Sequence, residues 1–275
     1  MMHLLRPAGV TVFAGIVLSV ALFPLYWMLL TALRPKAVTM VWPPRLLPQL
    51  GELSVATLAS VVTDTPAPGW ALNSLIIAVL TTIAVVLVST LAGYALSRAR
   101  GGTARGFGLV ILVAKMLPST LLVVPLYVML HRGGLLGSPV SVVLANLAFA
   151  TPFATWMMKG FFDAIPPAIE EAALMDGCGH LGALFRIALP LALPGTAAVA
   201  LYAFIMAWND FLFARTFLPG GADTTLTVGA TQFLSETEME WNRVMSVALL
   251  ATLPVAAVFL WLQRHFVGGL TQGHN

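Results

Sequence analysis

The sequence predicts an all-α membrane protein with six transmembrane helices and a polar helix-turn-helix between helices 4 and 5. Of its residues, 59% are hydrophobic and only 9% are charged, whereas soluble domains carry about 25% charged residues. Too few polar residues remain to cover a water-facing surface, so the expected solvent is lipid. Six apolar runs approach the roughly 20 residues that a spanning helix needs. These runs are 10–33, 72–97, 107–130, 139–158, 191–214 and 244–263.

The first run is expected to remain in the protein as a transmembrane helix. It is too long for the apolar core of a signal peptide, and no small-residue cleavage site follows it. The connections between the runs differ in character. Residues 34–71 contain six prolines and predict an irregular loop with a short helix, and residues 215–243 predict a second polar loop.

Charge gives a weak signal for orientation. With the N-terminus inside, the inner loops hold seven Lys and Arg residues and the outer loops hold six. Three arginines in the short turn 98–106 favour the cytoplasmic side for that turn. We therefore expect both termini and residues 159–190 to be cytoplasmic. The scattered basic residues argue against nucleic-acid binding, and the single cysteine, Cys178, fits a thiol facing the cytosol.

A polar stretch, "EEAALMDGCGHLGALFRIALP" at residues 170–190, lies between two apolar runs. Pro166 and Pro167 suit the start of a short helix, and Asp176-Gly177 suits its end because glycine accepts a left-handed cap. A second short helix is expected at about residues 181–189, ending at Pro190. By composition alone, a solvated surface connector explains this stretch equally well.

The spacing within this stretch resembles the EAA loop of ABC importer permeases. In that loop Glu-Ala-Ala, a glycine and an Ile-x-Leu-Pro segment recur at fixed intervals. The matching residues here are Glu171, Ala172, Ala173, Gly177, Ile187, Ala188, Leu189 and Pro190. Other segments resemble the carbohydrate-uptake branch, the maltose- and glycerol-phosphate-type permeases: "NSLIIA", "LAGYALSR", "MLPSTLLVVPLYVML", "GLLGS", "WND" and "LQRHFVGGLTQG".

The resemblance implies a six-helix permease core at about 72–266, an N-terminal span at 10–33 and a coupling loop at 163–190, within one permease domain of residues 1–275. It implies that the loop docks on cytoplasmic ABC ATPase subunits. The further partners it implies are a second homologous permease and an extracytoplasmic solute-binding protein that meets the outer loops. The residues it assigns to ATPase coupling are Glu170, Glu171, Ala172, Ala173, Asp176, Gly177, Ile187 and Pro190.

The chain itself is not expected to hydrolyse nucleotide or to need a cofactor or metal. Phosphate-binding loops end in Gly-Lys-Ser/Thr, and the lysines here, Lys36, Lys115 and Lys159, follow Pro, Ala and Met. The histidines show no metal-ligand spacing, and no catalytic residue is expected. The resemblance implies that the partner ATPases bind ATP and Mg²⁺, and that their closure rocks the two permeases and moves a sugar inward.

Two places are candidates for the transport pathway. Lys115 lies roughly 12 Å into its span, where an ionisable side chain is costly and marks a site. The alternative is that Lys115 reaches back to the inner interface. Pro118 would bend the same span and free backbone carbonyls. Trp208, Asn209 and Asp210, near the outer end of the fifth span, suit a sugar by stacking and hydrogen bonding, although an interfacial aromatic belt explains them equally well.

Three clustered arginines and two competing function classes bear on this interpretation. Arg98, Arg100 and Arg105 are interpreted as orientation signals and contacts to lipid phosphates. A half-sized, ion-coupled secondary transporter would lack the EAA spacing. A six-span intramembrane protease would need a buried Gly-x-Ser or a pair of membrane-centred aspartates. We therefore favour a permease of the inner membrane, surrounded by lipid and driven by ATP.

Overall fold

The computed structural model describes residues 2–49, 51–99, 101–234 and 239–270, with backbone alone for residues 2–8, 103–105, 112, 115 and 262–270. Several sequence features therefore lie wholly or partly outside the described residues. They are Arg100, residues 235–238 of the second polar loop, the side chains of Arg105 and Lys115, and, in "LQRHFVGGLTQG", the side chains of residues 262–270 and all of residues 271–273.

The described residues are mainly helical, as the sequence predicts. The α-helices in chain order are α1 Met2–Ala32, α2 Lys36–Thr39, α3 Ala56–Thr63, α4 Ala67–Arg98, α5 Gly102–Lys115, α6 Ser119–Arg132, α7 Pro139–Asp163, α8 Pro167–Met175, α9 His180–Ala183, α10 Leu189–Leu191, α11 Leu193–Trp208, α12 Leu212–Phe217, α13 Leu226–Gly229 and α14 Trp241–Leu270. A π-helical segment, Leu184–Ala188, joins α9 to α10, and a 3-10 turn, Ala230–Phe233, follows α13.

Four described helices contain stretches that are long and apolar enough to cross a membrane. These stretches are Gly9–Ala32, Ala67–Arg98, Pro139–Asp163 and Trp241–Trp261. A fifth candidate is the pair His180–Leu191 and Leu193–Trp208, whose two halves are bent by 80°. The expected count of six is therefore not met by six continuous helices, and the difference arises in the third and fifth apolar runs.

The third apolar run is two helices rather than one. Pro118 lies between α5 and α6 with an extended backbone, φ −60° and ψ 137°. Each of the two helices has 14 residues, about 21 Å at 1.5 Å per residue, which is shorter than the ~30 Å hydrocarbon core. The sequence predicts only a bend here. The break is complete because a proline disfavours the helical conformation of the residue before it, Leu117.

The fifth apolar run is also interrupted, between α11 and α12. Asp210 lies at the break, and its carboxylate accepts hydrogen bonds from the main-chain N–H groups of Phe213 (3.3 Å) and Ala214 (3.0 Å). The main-chain oxygen of Asp210 accepts a 2.7 Å bond from the Thr227 hydroxyl. Asp210 therefore closes the first turn of α12 and holds the loop that follows it.

The chain divides into two compact units, and the first comprises Met1–Pro68 and Gly229–Leu253. Its proline-rich loop is ordered around the buried guanidinium of Arg34. This group donates to the main-chain oxygens of Arg45 (2.7 Å) and Leu47 (2.9 Å) and lies 3.8 Å from the Glu52 carboxylate. The predicted irregular loop thus has short helices, α2 and α3, and a buried cation that satisfies its carbonyl groups.

The second unit comprises Gly69–Val228 and Pro254–Asn275. Its main core lies between α7 and α11, with α4 alongside, and five of its eleven buried members are alanines. The buried members of this core are Val85, Ala150, Ala154, Met158, Phe162, Ile165, Leu184, Ala188, Ala192, Val199 and Ala203. Small residues allow membrane helices to approach closely. On α4, a Cβ added at Gly93 would lie 2.7 Å from the Met158 Cβ and 2.9 Å from the Lys159 nitrogen.

This close approach predicts that Gly93→Ala destabilises the protein. Two of the atoms facing Gly93 belong to the backbone of α7 and cannot rotate away, so we expect a loss of about 1–3 kcal/mol, the usual cost of overpacking. The measurement is thermal unfolding of the purified chain in detergent. Gly160→Ala is the matched control, since a Cβ at this helical glycine would meet nothing within 4 Å. A Gly93→Ala chain that melts at or above the wild-type temperature would contradict the prediction.

Candidate functional site: an elbow and its polar joint

The polar stretch folds as a helix, a tight turn and a second helix, which we call the elbow (residues 167–191). α8 starts at Pro167, and the chain reverses at Gly177, whose φ is +85°. Cys178 N–H donates to the Ala173 oxygen (3.0 Å), and Gly177 N–H donates to the Leu174 oxygen (3.1 Å). These two bonds form a Schellman motif, so the glycine stop predicted from the sequence lies where it was expected.

The second half of the elbow is longer than predicted. The sequence predicts an end at Pro190, but the helical path continues to Leu191 and turns sharply only at Ala192. The π-helical segment before Pro190 accounts for the difference: Leu189 N–H bonds the oxygen of Leu184, five residues back. We attribute the passage of the chain through Pro190 to this widened turn, which relieves the crowding that a proline ring causes in an α-helix.

The predicted coupling residues lie on different faces of the elbow. Glu171, Ala172, Asp176 and Gly177 are exposed, as is Pro190, whereas Ile187 is half-buried. Glu170 and Ala173 are the buried residues of α8. The two neighbouring glutamates therefore differ, because Glu171 faces outward and Glu170 is only 5% exposed.

The carboxylate of Glu170 is bound by two side chains of α4. Its Oε2 accepts a 2.8 Å hydrogen bond from the Tyr94 hydroxyl. Arg98 Nε donates to Oε1 and Oε2, at 3.0 and 3.1 Å, and Arg98 Nη2 also donates to Oε1. The guanidinium lies 5.8 Å from the centre of the Tyr94 ring, and that ring packs edge-on against Phe162, with 5.4 Å between ring centres.

The same guanidinium also reaches α7. Arg98 Nη1 donates to the Ser97 hydroxyl (2.9 Å), and that hydroxyl donates to Asp163 Oδ1 (2.7 Å). Asp163 is paired in addition with Lys159, one turn earlier on α7. We call Tyr94, Ser97, Arg98, Asp163 and Glu170 the joint, because this group connects the ends of α4 and α7 with α8.

The joint keeps Glu170 ionised. Burial raises the pKa of Glu170, but the hydrogen bonds from Arg98 and Tyr94 act in the opposite direction, and the net pKa lies below the ordinary glutamate value. A carboxyl group with a lowered pKa in the folded state contributes its stabilisation above its unfolded pKa. It loses that stabilisation as the pH falls through the folded pKa. At neutral pH the ion pair is therefore intact. Removing one partner of a fully buried pair costs about 3–5 kcal/mol, and we expect less here since the Arg98 side chain is 22% exposed.

Beside the joint lies a cavity of about 340 Å³. The residues that line it are Tyr94, Ala95, Arg98, Pro167, Glu170, Glu171, Leu174 and His180. Elsewhere the elbow presents large apolar side chains to the exterior: Met175 is 87% exposed, Leu181 67% and Phe185 52%. Exposed apolar groups at the tip of a polar loop are typical of a protein–protein contact surface.

The predicted transport-pathway residues are not brought together with the elbow. Pro118 starts α6, and the Lys115 side chain lies outside the described residues. Trp208 is buried and stacks on Phe204, with 5.9 Å between ring centres. Asn209 is exposed, and its side-chain amide donates to the Ile205 oxygen of its own helix (2.9 Å). With Asp210 closing α12, the side chains of Trp208, Asn209 and Asp210 each have a local structural contact.

Sequence reasoning missed the role of Arg98. The sequence predicts an orientation signal and a lipid contact at Arg98. In the structure its guanidinium binds Glu170, because a buried carboxylate requires a cation. The available signal was the spacing of Tyr94 and Arg98, four residues apart and hence on one helix face. Within the part of the chain that the structure describes, no group of three His, Cys, Asp or Glu could hold a metal ion.

Comparison with known proteins identifies the family. Residues 86–272 match the family described as binding-protein-dependent transport system inner membrane component. The chain is 34% identical over 256 residues to the inner membrane ABC transporter permease protein YcjP of Escherichia coli, covering 93% of this chain and 91% of that protein. It is 33% identical over 260 residues to the sulfoquinovosyl glycerol transport system permease protein SmoH of Agrobacterium fabrum, covering 94% and 90%.

A solved structure has the same fold. A chain of a bacterial ABC transporter involved in the import of the acidic polysaccharide alginate superposes with a TM-score of 0.79, covering 95% of this chain and 97% of that one at 22% identity. The resemblance to ABC importer permeases, first seen in the elbow, is thereby confirmed. The chain belongs to the family of inner membrane components of binding-protein-dependent transport systems.

Proposed function

We propose that the chain is the permease subunit of a bacterial ABC importer that moves a sugar or sugar-like solute across the inner membrane. The observation that carries this proposal is the elbow, which combines the Glu-Ala-Ala spacing, an ordered turn at Gly177 and an exposed apolar tip. The solute class is supported by relatives named for sulfoquinovosyl glycerol transport and for alginate import.

In this proposal the elbow docks on an ATPase subunit in the cytoplasm. Its contact surface comprises the exposed Glu171, Ala172 and Asp176 together with Met175 and Leu181. Closure of two such ATPases on ATP and Mg²⁺ drives this chain and a second homologous permease between inward- and outward-facing states. The outer loops meet a solute-binding protein, an assembly for which the alginate transporter, in complex with a periplasmic protein, is a structural precedent.

The proposed docking on a cytoplasmic ATPase requires a membrane topology that places the elbow on the inner side. We propose that α5 and α6 together form one crossing in spite of their break, which gives six crossings and places both termini and the elbow in the cytoplasm. If α5 and α6 instead entered and left on the same side, α7 would run in the opposite direction. The elbow would then lie outside. The whole chain acts as one permease domain, with α1 as the crossing that precedes the core.

The docking surface predicts that Glu171→Lys disrupts assembly with the ATPase. Reversing a charge at an interface places like charges together and costs several kcal/mol, so recovery of the ATPase with the purified permease should fall at least tenfold. The measurement is co-purification of the co-expressed subunits, followed by ATP-dependent uptake of a panel of labelled mono- and oligosaccharides. Asp64→Lys, which reverses an exposed carboxylate far along the chain in the proline-rich loop, serves as the matched control for co-purification. Normal co-purification of the Glu171→Lys chain would count against elbow docking.

The topology can be measured at Cys178, which is the one cysteine of the sequence and lies in the turn of the elbow. We expect a membrane-impermeant maleimide to label it in inside-out vesicles and not in right-side-out vesicles. For comparison, Arg132→Cys in a Cys178→Ser background places the thiol at the exposed end of α6 and should give the opposite result. Labelling of Cys178 from the outside would refute six crossings with an inner elbow.

A further inference from the structure

The attachment of α8 to the rest of its unit depends on few groups. Its buried residues are Glu170 and Ala173, and only Glu170 has a side chain long enough to reach far beyond the helix surface. An open cavity of about 340 Å³ lies beside α8, and only two residues of this helix are buried, so extensive packing does not hold it. The polar contacts of Glu170 are therefore a principal mechanical connection between α8 and the bundle.

The hydrogen bonds of this connection point in several directions. The Glu170 carboxylate is held by Arg98 and Tyr94, which lie one turn apart on α4. Arg98 Nη2 also donates to the Ile165 oxygen, at 3.4 Å, in the segment between α7 and α8. A planar guanidinium with several fixed donors restrains the position and the tilt of its partner, which a single flexible contact does not do.

We propose that Arg98 is a positioning residue that transmits movement of α8 through Glu170 to α4 and, by way of Ser97 and Asp163, to α7. This inference rests on the proposed function, since the movement comes from a docked ATPase. It assigns separate roles to neighbouring glutamates. Glu171 faces the ATPase subunit, and Glu170 connects α8 to the membrane bundle. The resemblance assigns both glutamates to ATPase coupling, and the sequence does not distinguish their roles.

The test measures whether α8 and α4 move as one body. Spin labels are placed at Leu72→Cys, near the outer end of α4, and at Ala168→Cys on α8, in a Cys178→Ser background, because residues 72 and 168 are both exposed. The complex with its ATPase subunits is reconstituted in nanodiscs, and the distance between the labels is measured by pulsed electron resonance without nucleotide and with MgATP and vanadate.

When the joint is wild-type, we expect the distance between the two labels to be the same without nucleotide and with MgATP and vanadate. In Arg98→Ala/Glu170→Ala, which removes both charges and leaves none unpaired, we expect a nucleotide-dependent shift of about 2 Å or more, the size of helix movements in switching transitions. Arg98→Lys, which keeps the positive charge but lacks the planar guanidinium and its fixed donors, should give an intermediate shift. Lys159→Ala, which breaks an ion pair within α7 alone, should give none.

A double variant with an unchanged distance in both states would overturn the proposal, because α8 and α4 would then move together without the joint. Thermal unfolding of each variant separates this readout from general destabilisation. If the double variant does not fold, Glu170→Gln replaces it. A nucleotide-dependent shift in the distance between the labels would then support the proposal, and an unchanged distance would overturn it.

Failure of the proposed function is a different observation, namely that no ATPase co-purifies with the wild-type chain. In that case the joint is tested on the chain alone. The double variant should then give a distance distribution about twice as broad as that of the wild type, and an equal width would overturn the inference.

Discussion

A carboxylate taken out of water must be matched by a cation, and in this chain that requirement determines where the elbow lies. Glu170 is 5% exposed, and leaving such a group unpaired would cost several kcal/mol. Arg98 is the cation that reaches it, from the end of a long apolar helix. The pair therefore fixes α8 against α4 at the position where the chain leaves the apolar core, a place where α8 buries too few side chains to be held by packing.

The sequence places two identical residues side by side, and the helix gives them different surroundings. Successive residues of an α-helix point about 100° apart, so Glu170 turns inward to Arg98 while Glu171 faces outward. A single substitution can therefore affect either the attachment of the elbow or its outer surface. The Glu-Ala-Ala motif is consistent with this division, since Ala172 is exposed and Ala173 is buried, and neither side chain prevents close approach on its own face.

Local rules predicted the elbow well, whereas long-range contacts could not be predicted. Proline at the first turn of α8 and glycine at its end have local physical causes, and both signals lie where the structure places them. The break before α6 was only partly predicted, because a proline signals a bend without giving its extent. The pairing of Arg98 with Glu170 joins residues 72 positions apart, and the π-helical segment is a single wide turn just before Pro190. Neither is encoded in a short pattern.

The two halves of the elbow differ in how firmly they are held, and this difference bears on how force would pass through it. Leu184 and Ala188, in the second half, are almost fully buried within the main core of their unit, so this half is part of the packed bundle. α8 is attached mainly by a polar joint and by a turn at Gly177, a residue whose conformation other residues rarely adopt. A partner that moves α8 would thus also push on the packed second half of the elbow, because the turn at Gly177 between the two halves has a fixed geometry. Because packed cores adopt discrete arrangements rather than deforming continuously, such a movement would be passed to α4 and α7 as a displacement of whole helices.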